Sequence, residues 1–226
     1  GTEAAWEAVE ASDLRCADAA AAAAMRARID EAKAAGDSVG GMVEVVAEGV
    51  PPGLGSHVSW QERLDGRIGQ AMLSIPAIKA VEIGDGFAAA QRPGSEVHDP
   101  ILAREVAGWP FVRPTNHAGG IEGGISNGEP IVVRLAMKPI PTLRTPLSSV
   151  DVTSGRTVQA HAERSDVCAV PAAGVVAEAM LMLVLAGAAR EKFGGDGIED
   201  VLAACASYLQ RLRLPWGGRR AGHDEV

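Results

Sequence analysis

The sequence predicts an α+β fold in which helices alternate with antiparallel pairs of strands. Three observations lead to this prediction. Long apolar or alanine-rich segments are bounded by helix-starting and helix-ending residues, short alternating segments flank turn pairs such as Asn127-Gly128, and no repeat or linker interrupts the chain. We therefore expect a single domain over residues 1–226.

Composition indicates a soluble protein with an aliphatic core. Hydrophobic residues make up 47% of the chain and aromatic residues only 4%, so Ala, Val, Leu, Ile and Met must fill the interior. The net charge of -8 excludes a protein that coats nucleic acid through bulk charge. The cysteines Cys16, Cys168 and Cys205 are widely separated and form no CxxC, and the histidines do not cluster. We expect no disulfide framework, no metal site and a reducing, cytoplasmic setting.

The N-terminal third predicts a helix, a strand and a loop. Ser12 or Asp13 can cap a helix over residues 14–35 that ends at Gly36. The alternation in GGMVEVVA then indicates a strand, and VPPGLG a loop. The first residues, GTEAAWEAVE, are acidic and do not resemble a secretory signal.

The middle of the chain predicts a helix over residues 61–79, with Pro76 kinking or ending its last turn, and a short strand in VEIG. Residues 91–116 are predicted to form a long loop. Two hairpins follow, one turning at Asn127-Gly128 before a strand over residues 131–137, the other turning at Ser154-Gly155.

The C-terminal part predicts helices over residues 172–193 and 198–212 and a frayed tail. The first helix lies in a stretch, 169–189, whose single charge is Glu178. A membrane span is one interpretation, but Pro171, Gly174 and this carboxylate favour a helix buried inside a soluble protein. A buried Glu178 would need a partner, and an ion pair with another helix is the expected one.

The segment KPIPT, residues 138–142, can present a cation from a stiff backbone. Pro139 and Pro141 favour an extended chain and remove two amide donors. In an extended chain Lys138, Ile140 and Thr142 share one face, so an ammonium and a hydroxyl project together, as a phosphate site requires. The alternative is an edge strand with a solvated lysine.

The segment RSDVCAVP places both charge signs before a helix. Pro171 suits the first turn of a helix, where a missing amide costs little. Free amides and the helix dipole favour an anion at this end, and Arg164 adds guanidinium donors. Asp166 could cap the helix or act as a base beside the bound anion. The alternative is a structural Arg164–Asp166 pair.

Two glycine-rich segments are less specific. AGGIEGGISNG, residues 118–128, would let a ligand approach the backbone, or would simply form a flexible hairpin. GDGFAA, residues 84–89, fits the dinucleotide pattern GxGxxA, but Pro93 falls where the required helix should continue.

These segments together resemble the chorismate synthase family. The similarity runs in order through GDSVGG (36–41), VPPGLGS (50–56), SIPAIKAVEIGDGF (74–87), TNHAGGIEGGISNG (115–128), MKPIPT (137–142) and RSDVCAVPAAGVVAEAM (164–180). The resemblance implies a β-α-β sandwich, usually assembled as a homotetramer. It also implies that reduced FMN assists the anti-1,4-elimination of phosphate from 5-enolpyruvylshikimate 3-phosphate to give chorismate, with no nucleic-acid or membrane partner.

The resemblance also implies residue roles. Main-chain contacts to FMN are implied for Pro76, Ala77 and Gly123. The FMN phosphate and ribityl chain would lie against the segment formed by Lys138, Pro139, Ile140, Pro141 and Thr142. Arg164 matches an arginine that reaches cofactor and substrate, and Asp166 matches an aspartate that helps to remove the substrate proton.

The sequence also departs from the family. Two N-terminal histidines that act as proton donors, a substrate-binding arginine cluster and a flavin-binding RxSx(R/A) stretch have no counterpart in it. Ala80 replaces a common glycine, and His117 occupies a variable position to which we assign no role. Three hypotheses follow: a lyase that needs the missing part, a non-catalytic FMN-binding or anion-binding and oligomerisation fragment, and an unrelated α+β binding domain.

Overall fold

The computed structural model describes residues 3–103, 111–162 and 166–213. The helices in these ranges are α1 (Glu3–Ala11), α2 (Ala19–Ala35), α3 (Leu64–Leu73), α4 (Gly86–Ala89), α5 (Gly94–Val97), α6 (Val170–Phe193) and α7 (Ile198–Leu212). The strands are β1 (Gly41–Ala47), β2 (Ile78–Ile83), β3 (Ile121–Glu122), β4 (Ile125–Ser126), β5 (Ile131–Met137), β6 (Ser148–Val150) and β7 (Thr157–Gln159). This alternation confirms the predicted α+β class.

The strands form one larger sheet and two hairpins. The sheet has the order β1-β5-β2, and alternate residues of β5 (Ile131, Val133 and Leu135) are fully buried. Strand β3 pairs antiparallel with β4, and β6 pairs antiparallel with β7. The alternation that predicted β5 therefore reflects one buried face of a sheet.

Contacts divide the chain into two compact units. The first comprises Gly1–Val45, Met72–Val81 and Arg134–Ala179, and the second comprises Val46–Ala71, Glu82–Val133 and Met180–Val226. Among the described residues, the buried apolar side chains of both units are aliphatic, as the composition predicted. The single domain over residues 1–226 stays a prediction.

The first helix prediction was wrong at its start. The helix expected over residues 14–35 is α2, which starts at Ala19, and α1 is an additional helix that the sequence did not predict. The Asp18 side chain caps α2 by accepting a hydrogen bond from the Ala21 amide at 2.8 Å, and Arg15 has a left-handed φ of 52° that breaks the chain between the helices. Helix α2 ends at Gly36, as predicted.

The second helix prediction was too long. Helix α3 ends at Leu73, and Lys79, which was expected in the helix, lies in β2. The chain reverses at Pro76, which lacks an amide, and at Ala77, which has a left-handed φ of 69°. Strand β2 therefore starts before the VEIG segment that predicted it.

Two further predictions need correction. The expected loop over residues 91–116 contains α5 and an antiparallel bridge between Leu102 and Val112, while residues 104–110 lie outside the described ranges.

The β3–β4 hairpin turns at residues 123–124 and not at Asn127-Gly128. The Asn127 side chain instead accepts a hydrogen bond from the Glu129 amide at 3.0 Å, forming a local turn before β5. The hairpin expected around Ser154-Gly155 is confirmed by β6 and β7.

Helix α6 is buried on one side only. Its inward stripe is Ala173, Ala177, Leu181, Leu185 and Ala188. On the other side, Val175 and Leu183 are 51% and 68% exposed, so the expected complete burial is not observed. By length and composition alone this helix could also cross a membrane. The Glu178 carboxylate is half-exposed and forms an ion pair with Arg15 at 3.1 Å. Arg15 lies between α1 and α2, so the partner of Glu178 does not lie in another helix, where it had been expected.

Carboxylates organise the loops of the second unit. The Asp99 carboxylate accepts hydrogen bonds from the amides of His117 and Ala118 at 2.8 and 2.9 Å. Burial acts to raise the pKa of Asp99, but hydrogen bonds, led by that from Ala118, outweigh it and hold the pKa below the ordinary value of 3.8. The charged form of Asp99 therefore stabilises this loop.

Asp85 joins the same region through its side chain. Its carboxylate lies 2.7 Å from Nδ1 of His117 and pairs with Arg92. Burial acts to raise the pKa of Asp85, but His117 and Arg92 together lower it. His117, which received no role from the sequence, is therefore part of a structural cluster.

We expect Asp99→Asn to destabilise the protein by about 1 kcal/mol, because one of the two amides would face an NH2 donor. The folded pKa is lowered, so the contribution of Asp99 is present above pH 3.8 and is lost as the pH falls through the lower folded value. Urea unfolding should therefore show a difference between wild type and variant at neutral pH that shrinks in acid. Asp196→Asn, an exposed change, is the control, and a pH-independent difference would contradict the assignment.

Candidate functional site

The segment formed by residues 138–142 directly follows strand β5. We call it the ribbon. Lys138, Ile140 and Thr142 are partly buried, whereas Pro139 and Pro141 are exposed, so burial alternates along the ribbon. This alternation is what the two prolines predicted for an extended chain. The ammonium of Lys138 donates to the Pro139 carbonyl oxygen at 3.3 Å, a long hydrogen bond that uses one of its three donors.

The ribbon starts beside a strained turn. The Lys138 amide donates to the Ala77 carbonyl oxygen at 2.9 Å, which brings two sequence-predicted site residues together. Ala77 holds a left-handed φ of 69°, a conformation that costs a residue with a Cβ about 1 kcal/mol or more, and Pro76 beside it is exposed. Such strain persists where surrounding structure fixes it, and it is common at ligand sites.

The segment GDSVGG, residues 36–41, packs along the ribbon, and we call it the clamp. The Ser38 hydroxyl donates to the Ile140 carbonyl oxygen at 2.6 Å, and the Gly36 carbonyl accepts the Arg144 amide at 3.1 Å. A Cβ at Gly40 would overlap the Met137 carbonyl oxygen, so this close approach requires glycine. In the sequence this segment stands out only as part of the family resemblance, and no local signal predicts its contacts with the ribbon.

The carboxylate of Asp166 lies exposed just before α6. The clamp holds this segment too, because the Val39 amide donates to the Val167 carbonyl oxygen at 2.9 Å. Helix α6 begins at Val170, so Pro171 occupies its first turn as predicted. Arg164 lies outside the described residues, and its pairing with Asp166 or with a ligand stays a prediction.

Gly123 belongs to the second unit and lies at the turn between β3 and β4. It is exposed, with a left-handed φ of 62°, and within the described ranges no neighbouring atom lies within 4 Å of the position that a Cβ would take. The backbone at this turn is therefore exposed, and its contact with a ligand stays a prediction.

The fold and the site together define a class of α+β protein with a candidate anion site. The chain is an α+β protein in which a lysine-bearing, proline-stiffened ribbon, partly buried at alternate residues, lies beside a strained turn. The clamp ties this ribbon to a segment with a carboxylate. Helix α4 has only four residues, so GDGFAA does not open the helix that a dinucleotide fold requires.

Comparison with known proteins identifies the family. The sequence model for chorismate synthase matches residues 2–189, and the chain belongs to the chorismate synthase family. It is 58% identical to the chorismate synthase of Moorella thermoacetica over 213 residues, which cover 93% of this chain and 55% of that protein. It is 55% identical to the chorismate synthase of Trichlorobacter lovleyi, covering 92% and 54% of the two chains.

A solved structure gives the same result. A crystal structure of chorismate synthase, 48% identical in sequence, superimposes with a TM-score of 0.78 and covers 92% of this chain and 55% of that one. The chorismate synthase-like fold is thereby confirmed. The chain spans about half the length of the curated relatives that it matches.

We expect Ala77→Gly not to lower the melting temperature, because glycine relieves the left-handed strain and offsets the added freedom of the unfolded chain. Ala80→Gly, in the neighbouring strand β2, should lower it by about 2–4 °C, since a glycine within a strand costs up to ~1 kcal/mol. Differential scanning calorimetry of both variants makes the comparison. Equal losses would mean that Ala77 is not strained.

Proposed function

We propose that the chain is part of a chorismate synthase, a carbon–oxygen lyase. The reaction is the anti-1,4-elimination of phosphate from 5-enolpyruvylshikimate 3-phosphate in the synthesis of aromatic amino acids. One observation carries the proposal. The clamp holds both the Lys138 ribbon and the segment of Asp166, so a cation and a carboxylate are fixed by one short stretch of chain. An elimination that moves a proton and releases an anion needs both groups.

The chemistry of the ribbon fits FMN. A phosphate needs a cation and accessible donors, and the Lys138 ammonium on an extended backbone can supply them. We assign the phosphate and ribityl chain to Lys138, Pro139, Ile140, Pro141 and Thr142. Backbone contacts are assigned to Pro76, Ala77 and Gly123, and Arg164 would reach cofactor and substrate. When bound, reduced FMN supplies an electron-rich ring to the reaction without a net redox change.

Asp166 is the catalytic residue of this proposal. Its carboxylate is exposed, so it can accept a proton and return it to solvent between turnovers. It stands four residues before the start of α6, where free amides and the helix dipole favour a bound anion. The anionic substrate would therefore be held next to the group that takes up its proton.

The whole enzyme needs more than this chain. The family's proton-donor histidines and substrate arginines have no counterpart here, and the chain spans about half of its relatives. We infer that activity requires those residues, that the complete protein is a cytoplasmic homotetramer, and that neither nucleic acid nor membrane is a partner. The second candidate, a non-catalytic FMN-binding or anion-binding and oligomerisation fragment, rests on the same partial coverage.

A flavin titration followed by a turnover assay separates the two candidates. FMN is titrated into the chain alone, and into the chain joined to the N-terminal half of the Moorella thermoacetica relative, with and without the phosphorylated substrate. We expect chorismate under reducing conditions from the joined protein only. Turnover by the chain alone would show that the N-terminal histidines are dispensable. Absence of flavin binding by both proteins would refute both candidates.

We expect Lys138→Ala to weaken FMN binding about tenfold, because a charged hydrogen bond to phosphate contributes about 1.5 kcal/mol. Asp166→Ala should leave FMN affinity within about twofold and instead reduce kcat of the joined protein by about 10²–10⁴.

Flavin fluorescence and single-turnover chorismate formation measure the two effects. The control is Lys33→Ala, which removes an exposed lysine from the last turn of α2. An equal loss of FMN affinity in the Lys138 and Asp166 variants would contradict this division of roles.

A further inference from the structure

The ribbon cannot be held by amides of its own at two of its five positions. Pro139 and Pro141 have no N–H, so the carbonyl groups must take a larger share in fixing this stretch. A carbonyl needs a donor from elsewhere in the chain. The Ile140 carbonyl lies between the two prolines, so a donor that bonds it fixes the middle of the ribbon.

That donor is Ser38. Ser38 is only 8% exposed, and its hydroxyl donates to the Ile140 carbonyl oxygen at 2.6 Å. The serine is fixed in turn, because its own amide donates to the Asp37 carboxylate at 2.7 Å. A short hydrogen bond from a buried, pre-oriented hydroxyl limits where the middle of the ribbon can lie.

The residues on both sides of Ser38 hold neighbouring parts of the same site. Val39 holds the segment of Asp166 through its hydrogen bond to Val167, and Gly36 holds the chain just beyond the ribbon by accepting the Arg144 amide. The three contacts come from four consecutive residues of the clamp. A shift at Ser38 would therefore change the path of the ribbon relative to the segment that carries the carboxylate.

We propose that Ser38 is a positioning residue that sets the ribbon for the phosphate group of the flavin. This inference rests on the proposed function, in which the ribbon takes the FMN phosphate. It predicts that loss of the hydroxyl reduces the preference for FMN over riboflavin, which lacks the phosphate. A serine that only stabilised the fold would affect both flavins alike.

The test uses the chain joined to the N-terminal half of the relative, and the chain alone, titrated with FMN and with riboflavin. Ser38→Ala should reduce the preference for FMN about five- to tenfold, which is the size expected for one hydrogen bond. Ser38→Thr keeps the hydroxyl and should restore the preference. Ser38→Cys, with similar volume and a weaker donor, replaces Ser38→Ala if that variant does not fold, and its preference should also fall.

Ser126→Ala is the matched control. Ser126 is 2% exposed, and its hydroxyl donates to the Pro51 carbonyl oxygen at 2.7 Å, so its loss also removes a buried hydroxyl-to-carbonyl bond. Ser126 belongs to the second unit, whereas the ribbon belongs to the first. It should lower stability and leave the FMN-to-riboflavin ratio unchanged.

Hydrogen–deuterium exchange of the peptide covering residues 138–145 gives a readout that needs no flavin. Exchange there should be faster in Ser38→Ala and unchanged in Ser126→Ala. Unchanged flavin preference in Ser38→Ala, or equal weakening of both flavins, would overturn the inference. If the wild type binds no flavin, the proposed function fails. Faster exchange in Ser38→Ala would then still support Ser38 as the residue that positions the ribbon, and unchanged exchange would overturn that as well.

Discussion

The candidate site depends on one constraint: a stretch with two prolines cannot be fixed through a regular ladder of amide hydrogen bonds. The clamp meets this constraint with the Ser38 hydroxyl, which bonds the carbonyl between the prolines, and with a close approach that only glycine permits at position 40. Because the neighbouring residue Val39 also bonds the segment before α6, the cation and the carboxylate are positioned by the same six residues. Stiffness of the ribbon and geometry of the site thus have a common origin.

In the irregular segments of the second unit, side chains also fix the backbone through hydrogen bonds. Side chains bond the backbone where glycine and proline prevent regular pairing: Asp99 accepts two amides, Asn116 bonds the Pro130 carbonyl and the Gly120 amide, and Ser126 bonds the Pro51 carbonyl and the Leu54 amide. These groups are partly or wholly buried, so leaving any of them without a partner would cost about 1–3 kcal/mol. Polar side chains therefore determine loop conformation in both units, and the aliphatic core determines the helices and strands.

Charge at the site is local and differs from the charge of the whole chain. The protein carries a net charge of -8, which by itself would repel a phosphorylated ligand at long range. In the proposed site, Lys138 on the ribbon and the N-terminus of α6 would supply short-range attraction instead. Ala77 has a strained backbone, and its carbonyl oxygen accepts a hydrogen bond from the Lys138 amide, so the turn and the ribbon hold each other in place without a ligand. Such preorganisation reduces the entropy lost on binding.

Local sequence determined the elements whose signals are short-range. Hydrophobic periodicity, helix-end residues and turn pairs predicted β1, β5, α6, α7 and the β6–β7 hairpin. The two prolines predicted the extended ribbon, in which burial alternates from residue to residue. Tertiary structure decided the rest. The break between α1 and α2 and the early end of α3 follow from left-handed backbone at Arg15 and Ala77, which local preference disfavours. Gly123-Gly124 and Asn127-Gly128 are both favoured turn pairs, and the pairing of β3 with β4 decided between them. The contact of Ser38 with Ile140 joins residues 102 positions apart, and only packing brings such partners together.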